Sequence, residues 1–182
     1  MKITGWIFLM LAFSTHAYAQ KYYTKNGFIS FHSNTSLEKI EAENNQVTSV
    51  LDTKTGELQF SLPIRGFRFK KSLMEEHFNE NYLESDKFPK AQFKGVITNW
   101  TGINLQADGK YPVKVSGQLS MHGKTQEVQI SGTLLIAAGK ITGQSTFTVK
   151  LADYQIEVPR LVKNNISETI EIRVNCLYDH SL

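Results

Sequence analysis

The residues best equipped for chemistry stand in one basic stretch, 65–71, which reads RGFRFKK. Guanidinium and ammonium groups bind phosphates and carboxylates through charge-assisted hydrogen bonds. Arg65, Arg68 and Lys71 are therefore candidates for holding the head group of a ligand. The alternative is a solvated loop, in which long side chains cover apolar surface while their charges stay in water.

His77 is a second candidate, because Glu80 follows it at the i, i+3 spacing of a helix. Such a pair can share one metal ion when other elements add further ligands. The remaining histidines lie on distant segments, so we expect no metal site and interpret His77 as packing on the fold. Cys176 is the one cysteine of the chain, and its neighbours offer no group that would activate a thiol. We expect it to be buried and inert.

Signatures of catalysis are absent from the sequence. It contains no Gly-x-Ser-x-Gly elbow, no Gly-rich phosphate loop and no His-Glu-x-x-His pair. We therefore predict that the protein is not an enzyme and uses no cofactor. A net charge of +3 is too small to indicate nucleic acid as a partner.

The elements that would position these residues are strands. Five segments alternate apolar and polar side chains: 58–64, 111–121, 128–136, 141–151 and 170–176. Weaker candidates are 27–33, 38–52 (with a break at 44–45) and 92–100, and turn sequences at 52–56, 122–125 and 138–140 connect neighbours as hairpins. Strands with one apolar face form antiparallel sheets. The pattern predicts an all-β protein of about eight strands.

One segment, residues 72–83, is predicted to be a short helix. Ser72 and Glu75 fit a capping box, and Met74, Phe78 and Tyr82 recur at i, i+4 and i+8 to form one apolar stripe. Long strands with one apolar face fold into a sandwich or a closed barrel. A barrel carrying one helix fits this order of elements better.

The N-terminus has the three parts of a secretory signal peptide: Lys2, a short apolar run and small residues at Ala17 and Ala19. The run is shorter than the ~20 residues of a membrane-spanning helix. We predict a signal peptide over 1–19 and one domain over 20–182, soluble in the periplasm or secreted, with no transmembrane segment.

With these elements placed, the sequence resembles the YceI-like family of exported lipocalin-like proteins. The matching stretches are ISFHS at 29–33, TGEL at 55–58, GQLSMHGKT at 117–125 and FTVKLADYQI at 147–156, in the family's order. The segment 76–83 departs from the family's helical pattern. The resemblance implies an eight-stranded antiparallel barrel that sequesters or carries a long apolar chain, such as an isoprenoid or another lipid, in its lumen.

The residues expected to face that lumen lie on the apolar sides of the predicted strands. They are Phe60, Leu62, Val115, Leu119, Ile130, Phe147, Val149 and Ile172. The alternation fits both an open lumen and one filled by side chains. The second case corresponds to a non-catalytic structural or interaction module of the cell envelope with a packed core, and the sequence also leaves a homodimer open.

Overall fold

Eight strands, each with one apolar face, close into an antiparallel barrel in the computed structural model, which describes residues 21–181. The predicted fold class is confirmed, whereas the predicted signal peptide lies outside the described residues. The barrel strands are β1 (Lys21–Asn34), β2 (Lys39–Asp52), β3 (Glu57–Pro63), β5 (Lys90–Ile97), β6 (Gly109–Met121), β7 (Lys124–Ala137), β8 (Lys140–Lys150) and β9 (Thr169–Tyr178). Two-residue strands β4 (Arg68–Phe69) and β10 (His180–Ser181) pair with β2 and β1.

Closure comes from β1, which pairs with β2 along one edge and with β9 along the other. The order around the barrel is β1, β9, β8, β7, β6, β5, β3, β2. The predicted hairpins at 122–125 and 138–140 are confirmed. In each, both central residues have positive φ, 50° and 69° at His122–Gly123 and 49° and 74° at Ala138–Gly139. These values fit type I′ turns, whose twist matches that of the strands.

The predicted break in the second strand is a bulge within a continuous strand. Ile29 pairs with Asn44 but Gly27 pairs with Val47, so β2 carries one extra residue at this point. Asn44 is fully buried and satisfies the irregular backbone by donating to the Pro63 carbonyl (2.9 Å) and accepting from the Gln46 amide (2.7 Å). The asparagine that suggested a break therefore stabilises the bulge.

The predicted helix is present as α1 (Ser72–His77), followed by a π-helical turn over Phe78–Tyr82. The predicted capping box is wrong, because Lys71 stands at the cap position and the cap has no side-chain hydrogen bond. Glu75 instead accepts from the Phe69 backbone amide at 3.2 Å and thereby links the helix to β4. Among residues 21–181, the helices are too short or too polar to cross a bilayer.

Side chains fill one half of the barrel interior. This packed half adjoins the β2–β3 and β7–β8 turns. Its fully buried side chains include Val47, Leu51, Ile136, Cys176 and Tyr178. The opposite end carries the long connections 64–89 and 151–168 together with α1.

The barrel wall has a slit on one side, between β7 and β8. Their pairing runs from the hairpin only to Gly132 and Ser145, and over 124–131 and 146–150 the two strands do not pair with each other. Each still pairs with its other neighbour. At the fork, the Ser145 hydroxyl donates to the Ser131 carbonyl at 2.8 Å, which satisfies the first unpaired oxygen.

The inner side chains of β7 and β8 are less buried beside the slit than where the two strands pair. Leu134 and Ile136 lie where the strands pair and are 4% and 2% exposed. Val128, Ile130 and Phe147 lie on the same inner faces beside the slit and are only half-buried. The slit therefore brings apolar interior side chains close to solvent.

Candidate ligand cavity

A cavity of about 260 Å³ occupies the barrel end that carries α1 and the long connections. Apolar side chains from the strands, the helix and both connections form most of its lining. Ligand sites for small molecules are lined in the same way, with volumes of roughly 300–1,000 Å³. The volume of this cavity lies just below that range.

Aromatic packing accounts for the roof of the cavity. The ring of Phe78, at the end of α1, lies 5.4 Å from Phe31 and Phe67 and 5.1 Å from Phe69, between ring centroids. Phe67 and Phe69 belong to the basic stretch, and both line the cavity. The alternation of aromatic and basic residues at 67–71 therefore points the rings inward.

Five of the residues expected in the lumen line the cavity: Leu62, Leu119, Phe147, Val149 and Ile172. The other three, Phe60, Val115 and Ile130, lie outside its lining. They belong to the same inner faces at positions closer to the packed half. A role of any of these side chains in binding stays a prediction.

Two phenylalanines, called the floor below, lie one layer beneath the cavity and outside its lining, since Leu62 and Ala91 line it two residues away along β3 and β5. The ring of Phe93 lies over Gly95 and Gly117, because a Cβ atom built on either glycine would approach its Cζ atom to 2.6 or 2.8 Å. Phe60 packs edge-on against Phe93, with 6.2 Å between centroids. The two glycines thus leave room for a ring that fills the lumen at mid-height.

The three predicted head-group cations lie outside the cavity lining, and each is in contact with a carboxylate. Arg65 pairs with Asp86 and also donates to the Ser85 hydroxyl at 3.3 Å. Arg68 pairs with Glu75 at 3.0 Å. Lys71 pairs with Glu38 at 3.1 Å. Binding of a head group by these cations also stays a prediction.

Glu38 is the charged centre of the cavity mouth. Its carboxylate lines the cavity and accepts from Lys71 Nζ at 3.1 Å and from Asn165 Nδ2 at 3.2 Å. These hydrogen bonds, that from Lys71 above all, hold the pKa of Glu38 below its ordinary value. His77 also lines the mouth, but it is exposed rather than packed. Residues 21–181 hold no group of three or more potential metal ligands.

His122 connects three segments at the barrel end that carries α1. Its Nδ1 lies 2.9 Å from the Tyr154 carbonyl oxygen and its Nε2 lies 3.0 Å from Glu84 Oε2. Both partners are hydrogen-bond acceptors, so each ring nitrogen faces an oxygen. Gln126 donates to the Asp153 carbonyl at 2.6 Å and holds the same connection against β7. The bonds from His122 and Gln126 to the 151–168 connection bridge the slit at the barrel end that carries α1.

Several lining residues escaped prediction because they lie outside the strongly alternating strands. Ile29, Phe31 and Ile40 belong to β1 and β2, where polar residues obscure the pattern. Ile156 and Val162 come from the 151–168 connection, which has no periodicity. In β1, the apolar residues at the alternate positions 29 and 31 were the sequence signal that could have identified these side chains as facing the interior.

The fold and the cavity together define a lipocalin-like barrel that is hollow at one end and filled at the other. A family model, the YceI-like domain, matches residues 21–177, and the chain belongs to this family. The resemblance found in the sequence is thereby confirmed. No curated protein matches the chain.

Several solved structures share the fold. A polyisoprenoid binding domain from Saccharophagus degradans, implicated in plant cell wall breakdown, is 17% identical with a TM-score of 0.76, over 88% of this chain and 98% of that one. BcnA from Burkholderia cenocepacia is 14% identical with a TM-score of 0.70, over 83% and 95%. The YCEI protein of Campylobacter jejuni is 10% identical with a TM-score of 0.54, over 100% and 94%.

Proposed function

We propose that this protein is an exported, non-catalytic carrier that holds one end of a long apolar chain, of the isoprenoid kind, in its cavity. The observation that carries the proposal is the apolar cavity, which lies between the mouth and the layer of Phe60 and Phe93. Each CH₂ group removed from water contributes ~0.8 kcal/mol, so a ten-carbon segment contributes roughly 8 kcal/mol before ordering costs. The likeness to a polyisoprenoid binding domain supports the choice of ligand.

The charges around the mouth favour a chain with an uncharged polar end. Arg65, Arg68 and Lys71 are each paired with a carboxylate, and the charged group in the lining is itself the carboxylate of Glu38. A diphosphate would have to displace these partners to reach the cations. A hydroxyl or carbonyl group would meet Glu38, Asn165 or His77 without breaking an ion pair.

Export is part of the proposal and depends on the predicted signal peptide. Cleavage after Ala19 would release residues 20–182 as one domain into the periplasm or the medium. N-terminal sequencing of protein secreted by its own host tests this, and retention of Met1 in the exported protein would contradict it.

Native mass spectrometry of the protein purified from its own host tests the carrier function. We expect an adduct of several hundred daltons that is lost on denaturation. A clean apo mass together with a co-purifying protein would support the alternative, an interaction module with a packed core. The same spectrum reports whether the chain forms a homodimer.

A matched pair of variants tests whether the adduct occupies the cavity. Ala91 lines the cavity and is buried, so Ala91→Phe should fill the space and abolish the adduct. Ala137, at the exposed end of β7, gives the control Ala137→Phe, which should keep it. Circular dichroism would establish that both variants fold. An adduct retained by folded Ala91→Phe would contradict binding in this cavity.

A further inference from the structure

Exposed leucines surround the mouth of the cavity. Leu37, Leu73 and Leu161 are 67%, 59% and 98% exposed. They come from three different segments: the β1–β2 connection, α1 and the 151–168 connection. Each is followed in the chain by a residue that lines the cavity: Glu38, Met74 and Val162. Single exposed leucines are common on protein surfaces, but three placed in this way form a rim.

Hydrogen bonds hold the rim together. Glu38 accepts from Lys71 at 3.1 Å and from Asn165 at 3.2 Å, so one carboxylate joins the three segments that carry the leucines. The leucines are therefore fixed around one opening, although they are far apart in sequence.

Each rim leucine has an exposed cation within two residues in the chain. These cations are Lys39, Lys71, Arg160 and Lys163. Leucines interspersed with lysine and arginine are typical of surfaces that lie at the interface of an anionic bilayer. A protein interface instead has a core that is apolar and depleted in charge.

We propose that this rim, defined by Leu37, Leu73 and Leu161, docks the mouth of the barrel on an anionic lipid surface. The leucines enter the acyl boundary while Lys39 and Arg160 meet lipid phosphates, and Lys71 and Lys163 keep their pairs with Glu38 and Glu168. With the mouth against the bilayer, an apolar chain passes between membrane and cavity without crossing water. The purpose of docking rests on the proposed carrier function, whereas the docking itself does not depend on it.

Co-sedimentation with vesicles tests the proposal. The probes are vesicles of phosphatidylcholine with about 30% phosphatidylglycerol, and vesicles of phosphatidylcholine alone. The triple variant Leu37→Ser, Leu73→Ser, Leu161→Ser removes the rim. The control is Val96→Ser with Leu177→Ser, because these exposed apolar residues lie on barrel strands away from the mouth, at 38% and 41% exposure.

We expect wild-type and control protein to bind the anionic vesicles, and the triple variant to bind at least about 1,000-fold more weakly, since each of the three buried leucines contributes about tenfold or more. Binding should weaken with salt and on phosphatidylcholine alone. Failure of the wild type to bind, equal binding by the triple variant, or an equal loss in the control would overturn the proposal.

A second measurement separates docking from carrying. A short prenyl alcohol added from solution should bind wild type and triple variant alike, because the cavity is intact in both. If it binds neither, the carrier function fails while the vesicle result still decides docking. Thermal unfolding of each variant establishes that it is folded, and an unfolded triple variant is replaced by the single substitution Leu161→Ser, whose side chain is almost fully exposed.

Discussion

The sulfur of Cys176 lies where the side chain of residue 27 would begin: a Cβ atom built on Gly27 would be 2.5 Å from Sγ. Gly27 stands on β1 opposite the bulge of β2, and Val47 of that bulge lies 3.1 Å from the same position. Burial raises the pKa of the Cys176 thiol to about 12, so the thiol is neutral and packs as a small apolar group. The expectation that this cysteine is buried and inert agrees with this environment.

This contact predicts coupling between the two positions. Gly27→Ala should lower the free energy of unfolding by about 1–3 kcal/mol, because it overpacks a filled interior. With Cys176→Ala in place, the added methyl group should cost less than half as much. Denaturant unfolding of the wild type, both single variants and the double variant measures the coupling. Additive changes would show that the sulfur is not what excludes a side chain at residue 27.

Two buried tyrosines should respond in opposite ways to loss of the hydroxyl. Tyr154 is 1% exposed and its hydroxyl has no partner within residues 21–181, whereas the Tyr178 hydroxyl lies 2.8 Å from that of Ser49. Tyr154→Phe should leave stability unchanged or raise it, and Tyr178→Phe should cost about 1–3 kcal/mol because Ser49 loses its partner. Denaturant midpoints measure both. A larger loss for Tyr154→Phe would reveal a partner for that hydroxyl.

The mouth should loosen in acid. Since the folded protein lowers the pKa of Glu38 below its ordinary value of 4.5, the stabilising effect of this carboxylate is complete above that pH and is lost as the pH falls through the lowered pKa. Release of a bound prenyl alcohol should therefore accelerate below about pH 4.5. Glu38→Gln should release it rapidly at every pH. Glu168→Gln, which breaks an exposed pair with Lys163 (3.4 Å), is the control and should behave as the wild type.

Hydrogen exchange should reveal the slit. Amides that point from β7 toward β8 within 125–131, and from β8 toward β7 within 146–149, have no partner strand and should exchange rapidly, although they lie inside a sheet. Amides at 133–137 and 140–144, where the strands pair, should be protected. Amide exchange followed by NMR compares the two regions of the same strands. Uniform protection would mean that the slit closes in solution.

The sequence predicted much of this architecture, for reasons that lie in single strands and turns. Alternation along 111–121 and 128–136 identifies the inner face, because a strand exposes its two faces in turn. The pair His122–Gly123 marks a hairpin, because that turn needs two residues of positive φ. Both features are local and can be read without knowing what packs against them.

Other features depend on how distant segments meet, and these were missed. The floor forms because Gly95 and Gly117 face each other in register and admit the ring of Phe93. The slit arises because β7 and β8 stop pairing at Gly132, although the apolar pattern of each strand continues. The bond from His122 reaches Tyr154, which lies on a separate connection 32 residues further along the chain. A pattern within one strand contains none of this information.

If the barrel carries an apolar chain as proposed, the floor of Phe60 and Phe93 limits how far that chain can enter. Such a pocket would recognise the terminus of a chain and not its full length, since side chains fill the half of the barrel beyond the floor. Affinity should therefore rise with chain length only until the pocket is full and then become constant. Chains of very different length would then bind with equal affinity. The fraction of protein bound would depend on the molar concentration of chain ends rather than on the mass of lipid.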